Sequence, residues 1–170
     1  MDKRYFVIIL IIIFSSINLY YITDISDVVG TASVTVNGYT ISIPENFNLL
    51  NTYEKSVLIN NPNSNLFIAI HPLGNKEYDF NKILLNYQNN TKIKIISNGT
   101  ININNITVDT IYYKNYEDAK NPRNCSIFYF KKNDATFRIE MAGFDYNTER
   151  DETINILTFI INSIKKDHKR

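Results

Sequence analysis

The sequence predicts an α+β domain in which helices flank an antiparallel β-sheet. Three features lead to this prediction: strand-like alternation of apolar residues over most of the chain, short turn sequences between strands, and two segments with helical spacing. Connections of hairpin length join strands in antiparallel order. The order strands, helix, strands, helix is therefore typical of one sheet covered by helices.

An apolar segment near the N-terminus predicts membrane insertion within residues 1–23. Residues 5–22 carry no charged side chain, and a helix of that length would be about 27 Å long, close to the hydrocarbon core of a bilayer. Two basic residues precede the segment and two acidic residues follow it: Lys3, Arg4, Asp24 and Asp27. This arrangement favours a single-pass protein of the cell membrane, with its N-terminus inside and its C-terminal domain outside.

A cleaved signal peptide is the alternative, and the domain would then be secreted. No A-x-A cleavage site follows the apolar segment closely, so we favour an uncleaved signal anchor. Residues 24–32 are predicted to be a polar linker, and residues 33–170 to be the extracytoplasmic domain.

A β-hairpin opens that domain. Val34–Val36 and Tyr39–Ile43 alternate between apolar and polar residues, and the Asn37-Gly38 pair between them is typical of a type I′ turn. Pro44 is expected to end the second strand. Two further strands are predicted around the turn sequence NNPNSN, at residues 57–59 and 66–70.

A helix and a second group of strands follow. Asp79 is a candidate N-cap, and apolar residues recur after it at helical spacing: Phe80, Ile83, Leu84 and Tyr87. Residues 92–95 and 100–115 alternate like strands, with a tight turn or bulge at Asn104-Asn105. The turn sequence KKND separates the last two predicted strands, at residues 126–130 and 136–141.

The last element is predicted to be an amphipathic helix. Thr148 and Asp151 resemble a capping box, and apolar residues recur where they would face the sheet: Ile154, Leu157, Ile160, Ile161 and Ile164. Lys165 and Lys166 are expected to end the helix, where cations suit the helix dipole. The basic sequence KKDHKR that begins there is either a solvated helix end or a contact for an anionic wall polymer or lipid surface.

Charge and cysteine content exclude several functional classes. The whole chain has a net charge of +1, whereas nucleic-acid-binding domains usually show a basic excess, so no nucleic-acid partner is predicted. Cys125 is the single cysteine, which rules out an internal disulfide and a zinc site built on several cysteines. A Cys125–His71 dyad lacks any protease signature around the cysteine, so we predict no catalytic site, no metal and no cofactor.

Aromatic residues and sequons supply the remaining candidate sites. A candidate binding surface combines His71 with tyrosines of two strands, Tyr112, Tyr113 and Tyr129, although strands also use aromatic residues simply as core. Four N-x-[ST] sequons become candidate glycosylation sites if the domain is exported: Asn89, Asn98, Asn105 and Asn124.

Several of these patterns together resemble the PsbP-like family. The segment GYTISIP at residues 38–44, the paired strands of ININNITVDTIYY at residues 101–113, the aromatic hairpin CSIFYFKKNDATFRIEM and the closing helix ending in Ile160–Lys165 carry the resemblance. The chain is most similar to the exported, single-anchor PsbP-related proteins of archaea and bacteria. The resemblance implies an α/β/α sandwich with a binding or scaffolding role and no shared active site. Asn104-Asn105 departs from the family, which often has glycine at that turn.

The sequence therefore predicts a membrane-anchored extracytoplasmic domain that binds or scaffolds a protein or cell-envelope partner and is not an enzyme. The alternative is a protein that binds a small molecule or glycan, with weak hydrolase activity included, in a pocket lined by tyrosines near His71. A purely structural envelope component differs from the first hypothesis only in stoichiometry.

Overall fold

The computed structural model describes residues 32–143 and 150–167. The apolar segment, most of the linker, Thr148 and His168 lie outside these residues. Within the two described ranges, no helix is both long enough and apolar enough to span a membrane. The described elements are β1 (Ser33–Val36), β2 (Tyr39–Ser42), β3 (Asn48–Tyr53), β4 (Ser56–Asn60), β5 (Phe67–Gly74), α1 (Phe80–Gln88), β6 (Ile93–Ile103), β7 (Ile106–Asn115), β8 (Arg123–Lys132), β9 (Ala135–Ala142), α2 (Arg150–Ser163) and β10 (Lys165–Lys166).

The strands form two antiparallel sheets. The larger sheet has the order β3-β4-β5-β9-β8-β7-β6, and the smaller sheet has the order β1-β2-β10. Hairpins join most neighbours, whereas β5 pairs with β9 across the intervening α1 and three strands. The α+β class predicted from the sequence, with helices flanking an antiparallel sheet, is confirmed.

Two of the tight turns between strands were predicted from residue pairs that contain asparagine, and both use residues with positive φ. Asn37 and Gly38 have φ values of 49° and 79°, as the predicted type I′ turn requires. Asn104 and Asn105 have φ values of 49° and 64°, so this turn also has two left-handed residues. Asparagine tolerates that conformation through local hydrogen bonding, which explains how the chain makes this turn without glycine.

One face of the large sheet packs against α2 and the β1–β2 hairpin, and we call it the α2 face. The Phe137 ring lies edge-on to Tyr39 at 5.1 Å between centroids and stacks on Phe130 at 5.4 Å. Four of the five apolar residues predicted on the last helix and its end are buried: Leu157, Ile160, Ile161 and Ile164. This layer is the main hydrophobic core.

The opposite face, which we call the α1 face, is partly covered by α1. Asp79 is the N-cap of α1 and its side chain accepts a hydrogen bond from the Lys82 amide at 3.1 Å, as predicted. The predicted apolar stripe of α1 packs on a cluster from β7 and β8: Ile111, Tyr113, Cys125, Ile127 and Tyr129. Helices therefore lie on both faces of the sheet, in an α/β/α arrangement.

Two segments differ from the sequence prediction. β3 was not predicted, because its sequence NLLNTY has no alternation and a register shift interrupts its pairing with β4 between Leu49 and Asn51. Lys165 and Lys166 do not belong to the last helix, which ends at Ser163; they form β10 and pair with Thr40 and Tyr39.

Residues 33–170 form one compact unit. Every described core residue, from Val36 to Ile164, lies within it. The unit therefore contains its own hydrophobic core, which is the usual requirement for a domain that folds alone.

Candidate functional site

The candidate site is the part of the α1 face that α1 leaves uncovered. α1 packs over β6, β7 and β8, and no described helix covers the same side of β9, β5, β4 and β3. We call this four-stranded area the open face. An antiparallel sheet commonly keeps such a solvated face, but its side chains are then mostly polar.

The strand register places large apolar side chains on the open face. Leu58 pairs with Ala69. This pair lies between the Val57–Ile70 and Ile59–Ile68 pairs, which are buried. Because side chains alternate along a strand, Leu58, Ala69 and Phe67 point away from the α2 face. Tyr53 pairs with Ser56 on the same side, and its side chain is 55% exposed, against 38% for Phe67.

A charged pair borders these apolar residues. On β9, the Arg138 Nη2 lies 2.9 Å from the Glu140 Oε1, and both side chains are about one-third exposed, at 33% and 37%. His71 pairs with Arg138 across β5 and β9, and its Nε2 lies 3.9 Å from the same Glu140 oxygen. The pair has no net charge, so the open face combines exposed aromatic rings with a neutralised Arg–Glu pair.

Burial lowers the pKa of His71 below its ordinary value of 6.5. The Arg138 guanidinium lowers the pKa further, and the Glu140 carboxylate opposes both effects. His71 is therefore neutral at pH 7, and its contact with Glu140 joins a neutral imidazole to a carboxylate. Because the folded state binds this proton less tightly than the unfolded state, His71 contributes a loss of stability as the pH falls below 6.5.

We expect NMR titration of His71 to give a pKa below 6.5 in the folded protein and a pKa near 6.5 in urea. Glu140→Gln should lower the folded value further, and Arg138→Gln should raise it, because each removes one charge near the imidazole. A folded value at or above 6.5, or no response to either substitution, would contradict this account of the site.

The tyrosines beside this area are buried under α1. Tyr87 of α1 lies edge-on to Tyr113 at 5.1 Å, and Tyr78 stacks on Tyr129 at 5.2 Å. Burial and the nearby Glu140 raise the pKa of Tyr87 to about 12, and burial raises the pKa of Tyr113 and of Tyr129. These hydroxyls stay protonated at physiological pH, so their rings serve as packing surface under α1.

Cys125 is not placed for nucleophilic chemistry with His71. β9 separates their strands, and Cys125 pairs with Ala142 whereas His71 pairs with Arg138, four positions away. Strand spacing and rise put the two residues about 16 Å apart. Burial also raises the pKa of the Cys125 thiol, which keeps it protonated. The two side chains therefore do not form a Cys–His dyad.

The structure brings together only part of the predicted binding surface. His71, Tyr113 and Tyr129 share the α1 face, but Tyr112 alternates to the α2 face, where it packs edge-on to Phe128 at 5.8 Å. The three tyrosines are only 3–7% exposed, so they lie in the core and not on an accessible surface. Only His71 of the four lies at the open face. Tyr53 was missed in the sequence because β3 has no strand pattern. Phe67 was missed because the side of the sheet that each β5 side chain occupies depends on the pairing of β5 with β9.

The four sequons occupy different environments. Asn89 caps the end of α1, Asn98 lies on the edge strand β6, Asn105 lies in the β6–β7 turn, and all three are exposed. Asn124 is half-buried on β8, where its carbonyl accepts a hydrogen bond from Gly143. Glycosylation at these positions stays a prediction. Within residues 32–143 and 150–167, no group of three or more His, Cys, Asp or Glu side chains is placed to hold a metal ion.

Comparison with known proteins gives structural neighbours but no sequence relatives. No family model matches the chain, and no curated protein matches its sequence. A structure of a point mutant of protein Mog1 matches with 10% identity over 82% of this chain and 97% of that one, with a TM-score of 0.51. Ran-binding protein Mog1p of Saccharomyces cerevisiae matches with 9% identity over 81% of this chain and 96% of that one, with a TM-score of 0.49.

A third structural match is a cyanobacterial protein. The solution structure of cyanobacterial PsbP (CyanoP) from Synechocystis sp. PCC 6803 matches with 12% identity over 82% of this chain and 95% of that one, with a TM-score of 0.47. At such identities a likeness concerns the fold alone. The match to the Mog1 mutant shows that the described part of the chain has an α+β fold of the same kind.

Proposed function

We propose that this chain is a membrane-anchored extracytoplasmic domain that binds a protein partner on the open face and catalyses no reaction. In this proposal it is an exported, single-anchor member of the PsbP-like group. The observation that carries the binding function is the open face itself, where exposed Tyr53 and Phe67 share one side of the sheet with the Arg138–Glu140 pair.

The composition of the open face favours a protein partner of low net charge. Tyrosine, phenylalanine and arginine are enriched in protein interfaces, whereas unpaired charges are depleted from interface centres. Arg138 and Glu140 neutralise each other, so a partner need not supply a compensating charge. Large aromatic side chains such as Tyr53 are also the type that most often dominates binding energy.

The N-terminal sequence supports the proposed location. Residues 5–22 are uncharged and flanked by basic residues before and acidic residues after, which favours insertion with the domain outside. An anchor would raise the local concentration of the domain near a membrane-bound partner, so a modest open-face affinity would suffice for stable association.

The test is a crosslinked pull-down of the tagged full chain from native membranes, read by mass spectrometry. We expect one partner at near-equal abundance, and at least about tenfold less of it with Tyr53→Ser/Phe67→Ser, since two interface aromatic residues each contribute about 1 kcal/mol or more. The matched control is Leu85→Ser/Ile96→Ser, which removes two apolar residues of similar exposure from α1 and β6.

Two results would contradict the proposal. Equal loss of the partner in both double variants would show that the open face is not the binding site. Reproducible turnover by the purified protein, abolished by one point mutation, would show that the chain is an enzyme.

A second candidate function is binding of a small molecule or glycan, with weak hydrolysis included. The observation that favours it is the placement of His71, Arg138 and Glu140 together on the side of the sheet that also exposes Tyr53, because planar polar groups and aromatic rings on one surface suit a neutral polar ligand. A glycan array probed with the purified domain, and with His71→Ala as the comparison, separates this function from protein binding.

A further inference from the structure

One edge of the large sheet is apolar and uncharged. β3 forms this edge beside β4, and its sequence NLLNTY contains no charged residue and no proline. All six of its residues are exposed. In the part of the chain that the structure describes, seven large apolar side chains are exposed, and three of them lie on β3: Leu49 at 43%, Leu50 at 48% and Tyr53 at 55%. β3 therefore concentrates exposed apolar surface at an edge where no described strand pairs.

The opposite edge of the sheet, β6, is mostly polar. Natural proteins discourage unwanted pairing at a sheet edge with charged side chains and irregular backbone. Every second side chain of β6 is exposed, and all of these except Ile96 are polar: Lys94, Asn98, Thr100 and Asn102. Apolar character is therefore specific to the β3 edge and is not shared by both edges of this sheet.

The backbone of β3 is irregular in a way that a second copy would match. The register of β3 with β4 shifts between Leu49 and Asn51, so Leu50 is the extra residue of a bulge. A bulge discourages pairing with a strand of regular geometry. A second β3 has the same bulge, and antiparallel pairing about a two-fold axis at Leu50 sets bulge against bulge. The occupant that suits this edge is therefore another copy of the chain.

The charged residues that flank β3 suit the same arrangement. Glu45 precedes the strand, Glu54 and Lys55 form the turn after it, and all three side chains are exposed. Glu45 and Lys55 are each five residues from Leu50, so an axis there places Glu45 of one copy opposite Lys55 of the other. Glu54 then lies opposite the uncharged Asn46. Opposite charges therefore meet at both ends of the pairing, where such cross-strand pairs are favourable.

We propose that β3 is the interface of a homodimer, in which two copies pair antiparallel about a two-fold axis at Leu50. Closed two-fold dimers are the commonest oligomers of soluble proteins. The axis is perpendicular to the sheet, so both copies keep the open face on the same side and the two seven-stranded sheets become one. The two open faces then form a continuous surface. This inference goes beyond the proposed function and does not depend on which partner the open face binds.

The small size of the contact makes the dimer reversible. An edge of six residues is about 20 Å long. Pairing along it, with its exposed apolar side chains, buries less than the roughly 1,200 Å² at which stable interfaces begin. We therefore expect the weight-average mass to rise from that of one copy towards that of two between about 10 µM and about 1 mM.

The test is sedimentation equilibrium of purified residues 33–170, which form a compact unit with its own core. Leu50→Lys should weaken self-association at least about tenfold, because two lysines about 5 Å apart across the axis repel each other. Leu50→Glu should weaken it for the same reason. An equimolar mixture of the two variants should recover the dimer, because opposite charges then meet at the axis. That recovery would also show that both variants are folded.

The matched control is Ile96→Lys. Ile96 is the extra residue of the bulge in β6, the other edge strand, and is 44% exposed against 48% for Leu50. This variant should associate like the unaltered domain. Equal weakening by Ile96→Lys and Leu50→Lys, a mixture no tighter than either charged variant, or growth beyond two copies would each overturn the inference.

A domain that stays monomeric at about 1 mM would also overturn it, and would leave the β3 edge to a strand from another protein. The measurement uses the purified domain alone, so its outcome is independent of the pull-down that tests partner binding. Leu50→Lys also leaves Tyr53 and Phe67 of the open face unaltered. Loss of the dimer with the pulled-down partner retained would therefore contradict only the inference about β3.

Discussion

Gly143→Ala is expected to lower the free energy of unfolding by about 3 kcal/mol or more. Gly143 follows β9 with a φ of 96°, a conformation that side-chain-bearing residues rarely adopt. A Cβ atom there would lie 1.8 Å from the Asn65 carbonyl oxygen and 2.7 Å from its carbonyl carbon. Backbone atoms cannot rotate away, so the loop between β4 and β5 would have to move.

The movement would disturb bonds on both sides of the contact. The loop is closed by a hydrogen bond from the Asn61 amide to the Leu66 carbonyl at 3.0 Å, and the Gly143 amide donates to the Asn124 carbonyl at 3.1 Å. Urea denaturation of the domain measures the effect. Gly99→Ala is the matched control, because the alanine Cβ would meet no heavy atom within 4 Å apart from those of its chain neighbours. This variant should change stability by less than about 1 kcal/mol. Similar stability of the two variants would contradict the steric argument.

Phe137→Ala is expected to lower the free energy of unfolding by about 3–5 kcal/mol. Phe137 is fully buried on central strand β9 and contacts Tyr39 of the small sheet and Phe130 of β8. The truncation loses apolar burial and leaves a cavity where three strands and the β1–β2 hairpin meet. The hairpin is joined to the main sheet partly through this ring, so its own packing should also weaken.

The comparison variant for this prediction is Phe67→Ala on the neighbouring strand β5. Phe67 is 38% exposed on the open face, so its loss should cost about 1 kcal/mol or less. The denaturant midpoint and the slope of the unfolding transition give the free energy of unfolding of each variant, and these two values are compared. A Phe67 variant as unstable as the Phe137 variant would mean that the open face is structural core and not an accessible surface.

The sequence predicted the elements that depend on local pattern. The β1–β2 hairpin follows from Asn37-Gly38, and the second tight turn follows from Asn104-Asn105, because each pair accepts the positive φ that the turn needs. α1 follows from the Asp79 cap and an apolar stripe at helical spacing. These signals lie within a few residues of each other and do not require knowledge of the rest of the chain.

The candidate site was much less predictable. Their local pattern left Tyr113 and Tyr129 open as either binding surface or core, and the packing of α1 places them in the core. Tyr53 and Phe67 carry no distinguishing local signal, and their exposure results from the fact that α1 is only nine residues long and sits over the other half of the sheet. Which strand faces remain open depends on where a helix packs.

The sequence by itself determined the α+β class, the turns, the apolar N-terminal segment and the absence of a cysteine framework, since these follow from composition and short-range periodicity. The tertiary structure alone decided the β5–β9 pairing, the edge strand β3, the separation of His71 from Cys125 and the conversion of Lys165–Lys166 into a strand. The physical reason is that strand pairing joins residues far apart in the chain, and a side chain's exposure depends on which neighbours that pairing supplies.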